Sequence, residues 1–206
     1  MEIRTVRLLA ALGAVFSSSF AGAAPPDAHA PARILGACEV AFDVTSTLHD
    51  FTGSALCLPF EAALARDSAG TQVLPSVEVE VPVSGMETGN KSRNGKMREM
   101  FREERFPRIH AAARDVDVER LREEMGKGRG GKAPLDLLLR IRDVERKIRA
   151  TASNLKESGE RVTFDLEFPV SLKEFDLKAP SVLVFIQVGD EVTVRGTFTL
   201  TVSRSP

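Results

Sequence analysis

The chain has 206 residues, of which 28 are Lys or Arg and 29 are Asp or Glu, so its formal net charge is −1. This near-neutral balance lacks the basic composition typical of proteins that bind nucleic acid through phosphate contacts. The sequence contains neither Trp nor Tyr, and its aromatic residues are 12 Phe. The composition therefore argues against a nucleic-acid partner and fits a globular protein with an ordinary apolar core.

The first 23 residues have the pattern of a secretion signal. Two arginines precede an apolar run, and Ala21-Gly22-Ala23 offers a small-x-small cleavage pattern. A membrane anchor is the alternative, but the apolar run is interrupted by three consecutive serines and is shorter than the roughly 20 apolar residues of a spanning helix. We predict cleavage after Ala23, no stable membrane span and a periplasmic location for the mature protein.

Behind the signal, the sequence predicts a disordered Pro- and Ala-rich leader over residues 24–33. A single domain is predicted over residues 34–206, a normal size for one domain. We find no internal repeat and no second domain in this stretch.

The only two cysteines, Cys38 and Cys57, flank the first predicted hairpin. Export permits disulfides, and neighbouring antiparallel strands bring β-carbons to bridging distance. We predict a structural bridge, with free buried thiols as the alternative. Because Cys57 alternates with the apolar residues Leu56 and Leu58, whereas Cys38 shares a face with Val40, the bridge requires a bulge in one strand. Lipidation of Cys38 is disfavoured because no apolar run directly precedes it.

Alternation of apolar and polar residues predicts about eight strands, each with one buried and one wet face. The absence of a βαβ rhythm favours an antiparallel all-β fold, either a barrel or a sandwich. Eight strands closed into a barrel leave an interior that is either filled by side chains or holds one small ligand. The predicted strands cover residues 38–44, 56–60, 77–83, 108–116, 135–141, 147–151, 162–172 and 192–202.

Two short helices are predicted, over residues 92–103 and 118–125. The first carries an apolar face formed by Met97, Met100 and Phe101. This helix is expected to plug one end of the barrel. Methionine adapts to irregular surfaces, so the same face also suits the lining of a cavity for a flexible, chain-like ligand.

The three histidines show neither a metal-ligand nor a catalytic pattern. His29 lies in the predicted leader, His49 lies beside Asp50 in the first turn, and His110 lies on a predicted strand. No two of them have metal-ligand spacing, and no Ser or Cys nucleophile lies near the His49–Asp50 pair. We therefore predict a turn-stabilising role for that pair, no metal site and no catalytic residue.

Several short motifs occur in a distinctive order along the chain. In order, the motifs are Phe42 with Val44, Phe51-Thr52-Gly53, Thr88-Gly89-Asn90 with Arg93, Phe106-Pro107-Arg108-Ile109, Phe168-Pro169-Val170-Ser171-Leu172-Lys173-Glu174-Phe175, Pro180-Ser181-Val182-Leu183, and Val188-Gly189-Asp190-Glu191-Val192. The set resembles the YceI-like family of bacterial periplasmic, lipocalin-like lipid-binding proteins, and the match spans essentially the whole mature chain.

The resemblance implies an eight-stranded, antiparallel, lipocalin-like barrel with an apolar pore. Such a protein binds a polyisoprenoid, an isoprenoid quinone or a similar amphiphile, for transport or storage, without enzymatic activity and without a cofactor other than that lipid. Asn90 and Arg93 are candidates for contact with a polar head group, and hydrogen bonding of the helix to the barrel is the alternative role of Arg93. The residues expected to line the pore are Val40, Phe42, Val44, Phe51, Met97, Phe101, Phe164, Phe168, Phe198 and Leu200.

Two other functions stay open at this stage. A barrel filled by its own phenylalanines would act as an envelope accessory or stress-related module through protein partners, with a solid core and an exposed apolar patch. An enzyme would have His49 or His110 opening into the cavity with a second titratable group in reach. Because barrel closure removes sheet edges, a monomer and a side-by-side homodimer both fit.

Overall fold

A computed structural model of the chain describes residues 32–47, 49–128, 130–178 and 188–203. The predicted signal segment, His29 and the Pro180–Leu183 motif lie outside these residues. The first strand begins at Arg33, the last residue of the predicted leader.

Over the described residues the fold consists of ten β-strands, two α-helices and two single 3-10 turns. The 3-10 turns span Val83–Gly85 and Lys173–Phe175. The helices are α1 (Lys91–Phe101) and α2 (Val118–Met125). The strands are β1 (Arg33–Ser46), β2 (Phe51–Leu56), β3 (Phe60–Ala63), β4 (Ala65–Arg66), β5 (Gln72–Pro82), β6 (Arg108–Asp117), β7 (Lys132–Ile141), β8 (Val144–Ser158), β9 (Arg161–Ser171) and β10 (Val188–Ser203).

All strand pairs are antiparallel, and the sheet curls until its two ends meet. The strands follow the order β2-β1-β10-β9-β8-β7-β6-β5-β4, with β3 also paired to β1. Only Leu64 separates β3 from β4, and β4 pairs with β5, so the path returns to its start. Backbone hydrogen bonds of 2.8 Å from Ser54 to Glu87 and from Leu58 to Glu80 add to this seam. The predicted antiparallel, lipocalin-like barrel is confirmed.

The number of strands is ten rather than the predicted eight. The difference arises after β1. One strand was predicted there, over residues 56–60, and the structure has three short strands in succession, β2, β3 and β4. Leu56 pairs with Glu39, whereas Phe60 pairs with Gly36. Four residue steps on one strand thus match three on the other, which is a one-residue bulge that interrupts the ladder.

This bulge lies directly after Cys57, and the two cysteines form a disulfide with Cα atoms 5.3 Å apart. The predicted bridge is therefore confirmed, but the predicted parity of β2 was wrong. Leu56 is 68% exposed, whereas Ala55 and Cys57 are buried and face the interior. The sequence pattern misassigned this strand because its inward positions carry small residues, and the large Leu56 lies on the outer face.

Each helix begins with a side-chain cap. The Asn90 side chain accepts a hydrogen bond from the backbone N–H of Arg93 at 3.0 Å, and Asp117 caps α2 in the same way. Helix α1 ends at Phe101, two residues before the predicted end, because Arg102 adopts a left-handed conformation with φ of 53°. Helix α2 has the predicted bounds. Neither helix, nor any other in the part of the chain that the structure describes, is long and apolar enough to cross a bilayer.

Candidate ligand-binding cavity

The barrel encloses an apolar cavity of about 550 Å³ that extends from helix α1 to helix α2. This volume lies within the roughly 300–1,000 Å³ typical of small-molecule sites. At the α1 end it is bounded by Met97 and Phe101, and at the α2 end by Leu121 and Met125. The inward side chains of the strands supply an almost entirely apolar wall, as the two-residue period of a barrel strand requires.

Every residue predicted to face a ligand lies on this cavity. Phe42, Val44, Met97 and Phe101 are buried in its wall, with exposed fractions between 6% and 8%. Their place on the cavity follows from the barrel closure, while their contact with a ligand remains a prediction. The predicted residues that line the cavity are Val40, Phe42, Val44, Phe51, Asn90, Arg93, Met97, Phe101, Phe164, Phe168, Phe198 and Leu200.

Three phenylalanine rings occupy part of the interior near the disulfide. The Phe164 and Phe198 rings stack with centroids 5.1 Å apart, and Phe60 meets Phe198 edge-on at 6.4 Å. Gly36 makes room for this cluster, since a methyl group at that position would clash with the Phe60 ring. The cavity persists beside these rings, so the interior is not the solid core that the filled-barrel alternative predicts.

The α1 end of the cavity carries a polar rim. Arg93 lies with its guanidinium carbon 4.0 Å from the centre of the Phe51 ring, and its Nη1 donates to the Thr88 carbonyl at 3.5 Å. Arg93 therefore ties α1 to the barrel and also lines the cavity. Half-buried Lys96 lines the same end and makes no ion pair within the described residues. The polar residues of the lining at this end are Ser46, His49, Asn90, Ser92, Arg93 and Lys96.

Glu87 joins helix α1 to the barrel through a compact hydrogen-bond network. Its Oε1 accepts from the Asn94 side chain at 2.6 Å and from the backbone N–H groups of Gly89 and Thr88 at 2.7 and 2.9 Å. Asn94 is 5% exposed, and its Oδ1 accepts from the Thr88 hydroxyl at 2.7 Å. The bond from Asn94, followed by that from Gly89, lowers the pKa of Glu87 below its ordinary value of 4.5.

The two histidines in the described residues occupy different surfaces. In the first turn, Asp50 accepts a 2.9 Å hydrogen bond from the Ser46 N–H, while the His49 side chain lines the cavity. His110 faces outward, where its Nδ1 lies 3.1 Å from Glu80. Within the described residues no group of three or more His, Cys, Asp and Glu side chains is arranged to hold a metal ion.

Two parts of the lining were not predicted from the sequence. Helix α2 contributes Val118, Leu121 and Met125, whose alignment on one face was visible but was not connected to a cavity. Strand β7 contributes four apolar residues, and small alanines complete the wall. Alanines give no signal in a pattern scored by large apolar residues. The lining residues of β7 are Leu135, Leu137, Leu139 and Ile141.

A closed antiparallel barrel around one long apolar cavity defines the class of small β-barrel proteins built to surround an internal site. Within that class, the model of the YceI-like domain matches residues 31–200. The chain therefore belongs to the YceI-like family.

Solved structures from three bacteria share this fold at low sequence identity. BcnA of Burkholderia cenocepacia aligns with a TM-score of 0.58 and 16% identity, over 79% of this chain and 95% of its own. A polyisoprenoid-binding domain from Saccharophagus degradans aligns with a TM-score of 0.58 and 15% identity, over 84% and 99%. The YceI protein of Campylobacter jejuni gives 0.53 and 14%, over 77% and 88%. A search of curated proteins found no match.

Proposed function

We propose that this protein binds a polyisoprenoid, an isoprenoid quinone or a similar amphiphile in its barrel, as a non-enzymatic carrier or store. The observation that carries the proposal is the apolar cavity of about 550 Å³ between α1 and α2. Its long shape and apolar wall suit a chain-like tail better than a compact polar metabolite. The fold shared with the polyisoprenoid-binding domain of Saccharophagus degradans supports the same ligand class.

Burial of apolar surface supplies the binding energy. At roughly 25 cal/mol per Å² of apolar surface removed from water, an isoprenoid tail needs few polar contacts to bind. Met97, Met100 and Met125 line the two ends of the cavity. Their unbranched, polarisable side chains adapt to a flexible tail. This composition favours recognition of tail length and shape over recognition of a unique chemical group.

In this proposal the polar head group of the ligand lies at the α1 end. Arg93 is already held against Phe51 and the Thr88 carbonyl, so its charge is oriented on the rim. Lys96 offers an ammonium group with no ion-pair partner in the described part of the chain. An amphiphile with an acidic or oxygen-rich head would satisfy both groups while its tail points toward α2.

The proposed place of action is the periplasm. The Cys38–Cys57 disulfide suits an oxidising compartment. The predicted signal segment over residues 1–23 supplies the route of export. Purification of the secreted form and sequencing of its N-terminus would check cleavage after Ala23.

The test of ligand binding compares two Ala→Phe variants. Half-buried Ala111 lines the cavity, so Ala111→Phe places a ring inside it. Exposed Ala37 lies on the outer face of β1, so Ala37→Phe adds the same ring outside. Native mass spectrometry of each protein, exported in bacteria and then extracted with organic solvent, measures the bound lipid.

We expect the wild type and Ala37→Phe to release an isoprenoid-type lipid, and Ala111→Phe to lose most of it while remaining folded. Equal lipid content in all three proteins would contradict binding inside the barrel. A lipid-free wild type that also stays empty after incubation with polyisoprenoids would favour an accessory role through protein partners.

A further inference from the structure

A second concave surface lies on the outside of the barrel wall, near helix α1. It has a volume of about 420 Å³. Ile109 and Leu139 point into the cavity, and the neighbouring residues Arg108, His110 and Arg140 alternate with them and face outward. We call this surface the arginine groove. It is lined by Arg105, Phe106, Pro107, Arg108, His110, Arg140 and Arg142.

One carboxylate serves two of the basic side chains of the groove. Arg108 donates to Glu80 at 2.5 Å, and His110 Nδ1 lies 3.1 Å from the other oxygen of the same carboxylate. Strand pairing places His110 directly opposite Arg140, so the positive groups of β6 and β7 are brought side by side. Glu80 therefore neutralises only part of the charge in the groove.

Two further arginines of the groove have no ion-pair partner in the part of the chain that the structure describes. Arg105 is exposed and lies 5.0 Å from the centre of the Phe106 ring. Arg140 is exposed and stands opposite Glu145 in the register of β7 and β8, but no ion pair joins them. Both guanidinium groups are therefore available to an anion in the groove.

Arg142 gives the strongest indication of a ligand. Its side chain is only 10% exposed, yet its Nε has no hydrogen-bond partner among the described residues. The nearest carboxylate, that of Asp143, is 3.9 Å from Nε and is itself 61% exposed. Among the described residues, this guanidinium makes one hydrogen bond, from Nη1 to the Asp176 carbonyl at 3.3 Å. A buried charged donor without a partner is costly, and an anion in the groove would remove that cost.

We propose that the arginine groove binds a phosphate group, carried either by a free phosphoanion or by a phospholipid head group. The planar guanidinium fork matches phosphate oxygens in a bidentate manner. Four arginines converge on the groove, and Glu80 and Asp143 are the only carboxylates joined to its basic side chains within the described residues. The site is separate from the cavity, since its residues point to the other side of the wall.

The experiment titrates inorganic pyrophosphate into the purified protein at constant ionic strength and measures the dissociation constant by calorimetry. Arg105→Gln/Arg140→Gln removes two charges whose side chains form no ion pair with any residue that the structure describes, so we expect the barrel to stay intact. Lys156→Gln/Arg161→Gln is the matched control, because it removes two exposed charges at the β8–β9 hairpin, at the α2 end of the barrel. We expect at least about tenfold weaker binding in the groove variant and an unchanged constant in the control.

Flotation with phosphatidylglycerol vesicles, against phosphatidylcholine vesicles, identifies the source of the phosphate. If the wild type binds pyrophosphate alone, the ligand is a free phosphoanion. If it binds the phosphatidylglycerol vesicles alone, the ligand is a phospholipid head group. Either result supports the proposal if binding is weaker in the groove variant. If both double variants bind the probes equally weakly, the loss of affinity reflects net charge alone and the proposal is overturned. The proposal is also overturned if the wild type binds neither pyrophosphate nor the phosphatidylglycerol vesicles.

A second measurement addresses Arg142 itself. Saturating pyrophosphate should raise the melting temperature of the wild type, because a ligand that binds only the folded state stabilises it. We expect Arg142→Gln to show little or none of this shift, whatever its melting temperature without ligand. An undiminished shift in Arg142→Gln would overturn the assignment. The substituted arginines do not line the barrel cavity, so either result leaves the proposed lipid function to its own test.

Discussion

At the scale of single residues, Glu87 connects helix α1 to the rest of the barrel. Its carboxylate accepts from the Asn94 side chain and from two consecutive backbone N–H groups, those of Thr88 and Gly89. Such an arrangement needs an acceptor with several lone pairs, which an ionised carboxylate supplies. The attachment of α1 therefore depends on the charge of one side chain, and the charge depends on pH.

The substitution Glu87→Gln removes this charge. Because hydrogen bonds lower the pKa of Glu87 in the folded state, the ionised carboxylate stabilises the fold above its ordinary pKa of 4.5, and this stabilisation is lost as pH falls through the lower folded-state pKa. We expect the variant to be less stable than the wild type at neutral pH and the difference to shrink on acidification below 4.5. Chemical denaturation at a series of pH values measures the free energy of unfolding.

The control for this prediction is Glu99→Gln. Glu99 is exposed on helix α1, and its carboxylate accepts no hydrogen bond within the described residues. Its substitution should leave the free energy of unfolding at neutral pH close to that of the wild type. A difference between Glu87→Gln and the wild type that stays constant from neutral to acidic pH would contradict the role assigned to Glu87.

At the scale of elements, helix α1 contains a residue that weakens it. Gly95 lies in the middle of α1 and is exposed, and apart from its chain neighbours and the backbone of its own helix no atom lies within 4 Å of the position of an added β-carbon. A glycine in a helix interior costs about 0.5–1 kcal/mol relative to alanine. The helix that covers the α1 end of the cavity is therefore less stable than its length permits, which suits a segment that a ligand of the proposed kind would pass.

Gly95→Ala should accordingly raise the free energy of unfolding by about 0.5–1 kcal/mol, as measured by urea denaturation. Gly89→Ala is the matched comparison. Gly89 has φ of 71°, a conformation that a β-carbon strains, so the same substitution should destabilise the protein there. If both variants change stability in the same direction, the backbone description of this segment is wrong.

The disulfide connects two neighbouring elements, β1 and the end of β2. It closes a loop with a sequence separation of 19 residues, and a loop of this length corresponds to about 3 kcal/mol in the chain-entropy model. We expect Cys38→Ala/Cys57→Ala to lose roughly that amount in guanidinium denaturation, and reduced wild type to lose a similar amount. A wild type equally stable with and without reductant would show that the bridge contributes nothing.

Strands with large residues on one face were predictable from the sequence. In β1, Phe42 and Val44 alternate with polar positions, and the structure buries both. The prediction for β2 was wrong, because Ala55 faces inward and Leu56 faces solvent. Burial there follows from the pairing with β1 and from the bulge after Cys57, which a local pattern does not encode.

At the scale of the whole molecule, closure of the barrel creates features that no segment shows alone. Much of the cavity lining was predictable from the sequence, because the family motifs contain the phenylalanines that point inward. The arginine groove was not predicted from the sequence. Arg105 and Arg142 are far apart in the chain, and only the pairing of β6 with β7 brings them to one surface. Both the polar rim of the cavity and the groove lie toward the α1 end of the barrel.

The last prediction follows from the shape of the cavity and rests on the proposed function. A tail that enters beside α1 and extends toward α2 buries more apolar surface with each isoprene unit until the cavity of about 550 Å³ is filled. Affinity for prenyl alcohols of increasing length should therefore rise at least about tenfold per unit, then level off. Displacement of a fluorescent fatty acid measures the constants. Ala111→Phe should move the plateau to shorter tails, whereas Ala37→Phe should not. Affinity that does not depend on tail length would mean that the tail binds outside the barrel.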